Sequence, residues 1–238
     1  MLELSIGRRF CGPPRSGNGG YTAGLVAGAM DASKTIEVTL HSPPPLETTL
    51  SVVRADGSTE LRHGEIVVAT GRKREPLSEI LPKAVSIDAA KQARHRFAGR
   101  HHHQIPGCFV CGTENKEGLK LHAGEVPGQG VVAADWMPDV DCVDSEGGVR
   151  DEIGWAALDC PGYFGAFIGE VPIFALLGRI AAEVNRWPRL NEPCTVLGWL
   201  QNKQGRKVKV GSAIYTGEGE VLARSEAVWI LVDPQKYL

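Results

Sequence analysis

Two short helix candidates constrain the fold of this chain more than any other feature. The first, Tyr21–Met30, reads YTAGLVAGAM and is small and apolar on every face, which predicts a buried helix rather than an amphipathic surface helix. The second, Arg150–Cys160, reads RDEIGWAALDC. Its first turn carries Asp151 and Glu152, which complement the helix dipole. Pro161 follows directly and should kink or end this helix.

Each helix candidate follows a turn and precedes strand patterns separated by Gly-rich turns, so the two halves share one order of elements. The strand patterns of the first half are Thr35–His41, Glu47–Arg54, Thr59–Arg62 and Glu65–Gly71. Those of the second half are Thr195–Gln201, Lys207–Tyr215 and Leu222–Val232. Phe174–Trp187 fits a helix or a strand equally well. The sequence thus predicts an α+β protein of two repeats.

The halves are joined by Lys73–Gln104, a segment rich in Lys, Arg and His that is predicted to be a surface connection with a short helix around Ile87–Phe97. The predicted boundaries are 1–75 for a shortened first repeat, 76–104 for the linker and 105–238 for the second repeat. The run His101-His102-His103 invites a metal site. Three adjacent side chains on a strand or loop diverge, however, so we expect all three to face solvent.

Composition excludes several classes of protein. With 238 residues, 42% hydrophobic and 23% charged, the chain is an ordinary globular one. A formal charge of −2 argues against a nucleic-acid binder, which would carry a basic stripe. No window approaches the roughly 18 apolar residues that span a bilayer, so no membrane partner is expected. The N-terminal segment lacks the apolar region of a signal peptide, and the expected location is the cytoplasm.

The six cysteines are expected to be reduced in a cytoplasmic chain of this size. Cys108 and Cys111 form the only close pair, within GCFVCG. Cys142, Cys160 and Cys194 are scattered without a second pair, whereas structural zinc normally needs four clustered ligands. The sequence therefore predicts no metal site and no cofactor.

Three stretches resemble a known family. Cys108–Leu121, CFVCGTENKEGLKL, looks like the entry segment of hotdog-fold acyl-CoA thioesterases, particularly the phenylacetate-pathway thioesterase-like branch. Trp155–Cys160, WAALDC, is similar to the acidic end of that branch's central helix, and the C-terminal strands with Trp229 fit the same pattern. The resemblance is strongest over residues 105–233. Over residues 1–72 it rests on GNGGYTAG and the strand order.

The resemblance implies a fold. In this family a curved antiparallel sheet wraps around one long helix, and single-repeat members pair two such units with active sites at the interface. Two repeats in one chain, a double hotdog, would reproduce that pair internally. A helix enclosed by a sheet leaves little room for large side chains, which would explain the Ala and Gly content of both helix candidates.

Thioester hydrolysis needs N–H donors for the developing oxyanion and a carboxylate that attacks or activates water. The resemblance implies that a His-Gly-Gly-like turn at a helix start supplies the donor and that a carboxylate roughly two turns along a helix supplies the base. In the first repeat Asn18, Gly19 and Gly20 match the donor turn. The carboxylate position of that repeat falls near Ala27, which cannot act as a base.

In the second repeat Asp159 matches the carboxylate position, but the donor positions fall on residues 150–152, which do not match. Each repeat thus lacks the half of the arrangement that the other repeat keeps. This pattern predicts one composite catalytic site that combines the amides of Gly19 and Gly20 with the carboxylate of Asp159. Asn18 would orient substrate or water there, and the pseudo-symmetric second site would be inactive.

Each of these residues also has a purely structural interpretation. Gly19 and Gly20 would permit a tight turn before a buried helix. Asp159 would be a buried helix-end carboxylate held by local N–H groups. Asn18 would be the N-cap of the helix.

CoA recognition would favour cations near the mouth of the cleft, to bind the phosphates. Arg206 and Lys207 in QGRKVKV, and Arg15 before the glycine turn, are assigned to this role, although a charge run usually marks a solvated strand end. Gly19 and Tyr21 complete the predicted substrate-binding set.

The sequence thus favours a thioesterase that hydrolyses acyl-CoA or acyl-carrier thioesters in a cleft between the repeats. The alternative is a non-catalytic acyl-CoA or acyl-carrier binding protein, which would have no need of Asp159. A hotdog dehydratase or hydratase ranks last, because it would need a His and an acid at a helix start and neither helix candidate carries His. The oligomeric state is open, with a homodimer among the outcomes.

Overall fold

In a computed structural model, which describes residues 2–31, 33–55 and 57–238, the described strands form one eleven-stranded sheet in which every pair is antiparallel. The strands are β1 (Leu2–Leu4), β2 (Thr35–Leu40), β3 (Leu50–Ala55), β4 (Ser58–His63), β5 (Ile66–Lys73), β6 (Gly124–Val126), β7 (Val131–Trp136), β8 (Ala175–Val184), β9 (Cys194–Gln204), β10 (Lys207–Thr216) and β11 (Val221–Leu231). Their order is β1-β3-β4-β5-β2-β8-β11-β10-β9-β7-β6. Strands from the two halves of the chain therefore occupy opposite sides of the sheet.

The described helices are α1 (Gly19–Gly28), α2 (Ile87–Ala93), α3 (Gly99–His102), α4 (Asp151–Ala157) and α5 (Cys160–Gly165). Helix α1 packs on α4 and contacts β2, β5 and β8, and seven of its ten residues are buried. The burial predicted for the apolar segment Tyr21–Met30 is confirmed. None of the described helices is long and apolar enough to cross a membrane.

The small residues of α1 are required by its contact with α4. A Cβ atom at Gly24 would lie 2.4 Å from Glu152 Cα, and one at Gly20 would lie 2.7 Å from the carbonyl oxygen of Trp155. Both neighbours are backbone atoms, which cannot move aside as a flexible side chain can. The sheet also limits α1, as expected: a Cβ at Gly19 would lie 2.9 Å from Leu177 Cβ on β8. The close approach of α4 is a further limit that the sequence did not indicate.

The second helix candidate, Arg150–Cys160, is two helices in the structure. Helix α4 ends at Ala157, Leu158 is its C-cap, and α5 begins at Cys160. Pro161 was expected to kink or end a helix, but it lies in the first turn of α5, where its missing N–H has no helical partner to lose. The break places Asp159 between the two helices.

The halves of the sheet are joined by β2 and β8, which pair from Thr35↔Glu183 to Thr39↔Arg179. The segment Phe174–Trp187, ambiguous on pattern, is therefore a strand that runs through the centre of the sheet. The predicted boundaries at 1–75, 76–104 and 105–238 stay a prediction. Sequence patterns also missed β1 and the hairpin β6–β7, whose turn uses the left-handed conformation of Gly128 and Gly130.

The linker is more than a surface connection. Its helix α2, followed by a 3-10 turn at Arg94–Arg96, packs against β6 and β7. The side chains of Val85, Ala90 and Ala93 are buried there in a separate apolar cluster with residues of β7, β9 and β10. The predicted helix around Ile87–Phe97 is present, but its apolar face covers the sheet of the second half.

Candidate active site

Asp159 lies in the break between α4 and α5 and is only 1% exposed. Its Oδ2 accepts a hydrogen bond from the backbone N–H of Gly20 at 3.0 Å and another from Asn18 Nδ2 at 3.1 Å. Its Oδ1 is buried without a hydrogen-bond partner among the described residues. One carboxylate oxygen is thus anchored to the first turn of α1, and the other is free to accept.

Burial raises the pKa of Asp159 to about 7. The hydrogen bond from Gly20 opposes this shift, a charge on Cys108 adds to it, and the hydrogen bond from Asn18 opposes it again. A carboxyl group with a pKa near neutrality suits general-base chemistry better than an ordinary surface carboxyl does.

Asn18 is the N-cap of α1, as its structural interpretation predicted. Its Oδ1 accepts from the backbone N–H of Tyr21 at 2.8 Å, while its Nδ2 donates to Asp159. The Gly20 amide donates its hydrogen bond to Asp159. The adjacent Gly19 amide has no hydrogen-bond acceptor among the described residues. Gly19 is therefore the first-turn donor that remains available.

The main chain beside Asp159 is held from the sheet. Ser212 Oγ on β10 donates a hydrogen bond to the carbonyl oxygen of Leu158, and Ser225 on β11 lies 2.8 Å from Ser212 Oγ. Both serines are buried. Two neighbouring strands of the second half thus support the turn that presents the Asp159 carboxylate to α1 of the first half.

A cavity of about 60 Å³ adjoins this carboxylate. Its wall includes Asn18, Gly19 and Asp159, and most of its other residues are apolar or aromatic, among them Tyr163 and Phe164. The volume is well below the roughly 300–1,000 Å³ of sites that enclose drug-sized ligands. The space beside Asp159 therefore suits a small group rather than a long chain.

The other predicted substrate-binding residues lie outside the cavity wall. Tyr21 is buried, with its ring stacked on Phe10 at a centroid distance of 4.1 Å, so its contacts are those of a core residue. Arg15 is exposed and lies close in sequence to Pro13, which lines the cavity. Arg206 and Lys207 are exposed at the β9–β10 turn.

The basic turn lies at the same end of the sheet as the cavity. Lys207 pairs with Ile230, and Ile230 pairs with Leu176, which lines the cavity. Lys207 is thus two strands away from Leu176, on the sheet face opposite to Trp229 and Leu177, whose partner on β10 is Val208.

Sequence reasoning missed a cluster of thiols at this site. Cys160 was taken as isolated, but its Sγ lies 3.8 Å from that of Cys108, and these two sulfurs and that of Cys111 all lie within 4.8 Å of one another. All three residues are buried and line the cavity. The start of α5 brings Cys160 to the Cys108–Cys111 turn, a contact that spacing along the chain does not indicate.

The histidine run behaves differently from the expectation at one position. His101 and His102 are exposed, as predicted, whereas His103 is partly buried and lines the cavity. Its Nε2 lies 2.9 Å from the carbonyl oxygen of Cys111, and its Nδ1 accepts from the backbone N–H of Ile105. Burial lowers the pKa of His103, so its ring is neutral near pH 7 and anchors the Cys108–Cys111 turn.

Comparisons with known proteins place the fold. No family model and no curated protein matches the sequence. A protein from Novosphingobium aromaticivorans assigned as a thioesterase is similar in structure, with a TM-score of 0.63, 12% identity and coverage of 97% of this chain and 95% of that one. A protein from Lactobacillus plantarum assigned as an oleoyl thioesterase has a TM-score of 0.57, 9% identity and coverage of 98% and 96%.

A conserved protein of unknown function with a hot dog fold, from Alicyclobacillus acidocaldarius, is also similar, with a TM-score of 0.56, 10% identity and coverage of 98% of this chain and 93% of that one. At such identities the likeness establishes the fold. The chain has the α+β double hotdog fold, as expected from the resemblance at Cys108–Leu121, and it shares this fold with structures assigned as thioesterases.

Proposed function

We propose that this protein is a thioesterase that hydrolyses acyl-CoA or acyl-carrier thioesters at Asp159, in the cleft between the two repeats. The observation that carries the proposal is the contact of Asp159 with the first turn of α1, which brings a buried carboxylate from one repeat to the helix start of the other. A carboxylate with one free oxygen at a cavity wall has the geometry of a general base.

In the proposed reaction Asp159 Oδ1 takes a proton from a water molecule, and the water oxygen attacks the thioester carbonyl carbon. The carbonyl oxygen becomes an oxyanion, which the Gly19 N–H stabilises together with the positive end of the α1 dipole. The C–S bond then breaks, and the proton passes from Asp159 to the departing sulfur. The products are a carboxylic acid and a free thiol.

Gly20 and Asn18 have a positioning role in this mechanism. Their N–H groups donate to Oδ2 and so leave Oδ1 as the carboxylate oxygen that can accept a proton. The sequence hypothesis assigned oxyanion binding to the amides of Gly19 and Gly20, and the proposal restricts that role to Gly19, whose amide is unpaired among the described residues. Asn18 orients the base rather than the substrate.

We further propose that the acyl group is short. The cavity of about 60 Å³ beside Asp159 has little room beyond the reacting carbonyl. Arg206 and Lys207 are the candidate contacts for the phosphates of CoA, because their turn lies at the cavity end of the sheet. Arg15 is a further candidate at the glycine turn.

A thiol-release screen over acyl-CoA thioesters from acetyl to palmitoyl tests the proposal. We expect turnover with the shorter acyl groups, and a loss of roughly 10²–10⁴-fold in the Asp159→Asn variant. Asp151→Asn is the matched control, since Asp151 is an exposed acid in the first turn of α4. The proposal is overturned if no thioester of the panel is hydrolysed, or if both variants lose activity equally.

One observation favours a second candidate, a non-catalytic acyl-CoA or acyl-carrier binding protein. The Gly20 amide is already occupied by Asp159, which makes the carboxylate a structural anchor for α1 as well as a candidate base. For a pure binder, an acyl-CoA would bind the wild type and Asp159→Asn alike, and neither protein would release thiol.

A further inference from the structure

The thiol cluster of Cys108, Cys111 and Cys160 has the dimensions of a metal site. Two thiolates bound to one tetrahedral zinc ion at about 2.3 Å lie about 3.8 Å apart. The sulfurs of Cys108 and Cys160 are 3.8 Å apart, and no pair in the cluster exceeds 4.8 Å. The three sulfurs would thus move together by about 1 Å at most to reach tetrahedral spacing.

The Cys108–Cys111 turn brings two buried thiols of one loop together, and Cys160 at the start of α5 supplies the third. A Cβ at Gly112 would lie 2.4 Å from the carbonyl oxygen of Cys108, so the tight turn requires glycine there.

We propose that Cys108, Cys111 and Cys160 bind one Zn²⁺ ion at the wall of the cavity. The prediction of no metal site rested on a count of two clustered thiols, and the structure supplies a third. Soft thiolate ligands select zinc over the hard cations Mg²⁺ and Ca²⁺. Because all three residues line the cavity, the remaining coordination position of the ion would open to it. The proposal goes beyond the thioesterase function and does not depend on it.

The experiment uses the full chain, purified without a His tag and kept reduced, and measures zinc by elemental analysis. We expect about one zinc per chain, removable by a chelator and restored by added Zn²⁺. Cobalt(II) added to the metal-free protein should give a thiolate-to-cobalt charge-transfer band in the near ultraviolet. This band separates cysteine ligation from binding to His101 and His102.

Two alanine variants make the test specific. Loss of a residue that only hydrogen-bonds to a metal ligand typically lowers metal affinity by roughly 10–100-fold. Cys111→Ala removes a ligand itself, so it should weaken Co²⁺ binding by at least that factor. Cys194→Ala, at a buried cysteine outside the cluster, should bind as the wild type does. The proposal is overturned if the reduced wild type takes up no Co²⁺ with a thiolate band, or if both variants bind equally.

Discussion

The carboxylate of Asp159 accepts a hydrogen bond from the backbone N–H of Gly20, 139 residues earlier in the chain, at 3.0 Å. A Cβ at Gly20 would lie 2.6 Å from Asp159 Cβ, so the contact requires glycine at this position of α1. The same contact joins the two halves of the protein and anchors one oxygen of the candidate base. A variant that breaks this contact should therefore change both the stability of the protein and the proposed activity.

The closest helix contact predicts a stability change. A Cβ at Gly24 would meet the backbone of Glu152, so Gly24→Ala should lower the free energy of unfolding by roughly 1–3 kcal/mol through overpacking. Gly28→Ala is the matched control, because Gly28 is exposed at the end of α1 and its nearest neighbour is a side-chain oxygen, Asp151 Oδ2 at 3.1 Å, rather than the backbone. Urea unfolding of both variants measures the difference. Equal stability would show that α1 and α4 are not packed so closely.

The serine support of Leu158 predicts a linked loss of stability and activity. Ser212→Ala removes the hydroxyl that donates to the Leu158 carbonyl, leaving only Ser225 at 3.4 Å, and should cost about 1–3 kcal/mol. It should also lower kcat, because the main chain next to Asp159 loses its anchor. Ser225→Ala keeps the Ser212 bond and should have the smaller effect on both. A larger effect of Ser225→Ala on kcat would contradict this assignment.

The basic turn predicts a change in substrate affinity. A double variant, Arg206→Ala with Lys207→Ala, should raise KM for an acyl-CoA several-fold while kcat stays near its wild-type value, and the effect should shrink as salt is added. The matched control is a substrate: the same acyl group on a short thiol without phosphates should show unchanged KM. Equal increases for both substrates would exclude phosphate binding at this turn.

Glu183 predicts an acid-dependent part of the stability. Burial raises its pKa, but hydrogen bonds from the Leu77 N–H and Arg224, with the charges of Arg224 and Lys34, outweigh burial and lower the pKa below the usual 4.5. The unfolded chain therefore binds this proton at higher pH than the folded one. The stabilisation is full above pH 4.5 and is lost as pH falls through the lowered folded-state pKa.

Replacement of Glu183 by Gln should lower stability at pH 7, and the gap to the wild type should narrow as the pH falls below 4.5. Urea unfolding at a series of pH values measures this gap. Glu125→Gln, at a partly buried strand glutamate, is the control for the loss of one carboxylate charge. A gap for Glu183→Gln that is constant with pH would show that its carboxylate is not paired in solution.

Local patterns predict much of this fold. Helix α1 follows from an apolar segment without a polar face, and β9, β10 and β11 follow from long strand patterns between Gly-rich turns. The hairpin β6–β7 was not predicted because β6 has only three residues and β7, which is buried at five of its six positions, lacks the alternation of a half-buried strand. The break at Leu158–Asp159 was not predicted, because proline disrupts the interior of a helix but is favoured in its first turn, and the sequence alone does not tell which applies to Pro161.

The candidate site also has features that the sequence could predict and features that it could not. The contact between Asp159 and the glycine turn could be anticipated because each repeat carries only one half of a familiar arrangement. The role of Gly19 rather than Gly20 could not be anticipated, since it depends on which amide already donates to the carboxylate. The thiol cluster could not be anticipated either, because Cys108 and Cys160 are 52 residues apart and meet through the packing of α5.

The most direct test of the central claim measures turnover and binding side by side in Asp159→Asn. Single-turnover hydrolysis of a short-chain acyl-CoA gives the chemical rate, and calorimetry with the unreactive thioether analogue gives the Kd. We predict that the rate falls by roughly 10²–10⁴-fold while the Kd changes little, because the substituted side-chain amide still fills the site but cannot take a proton. A variant that hydrolyses the thioester at the wild-type rate with the same Kd would contradict the account.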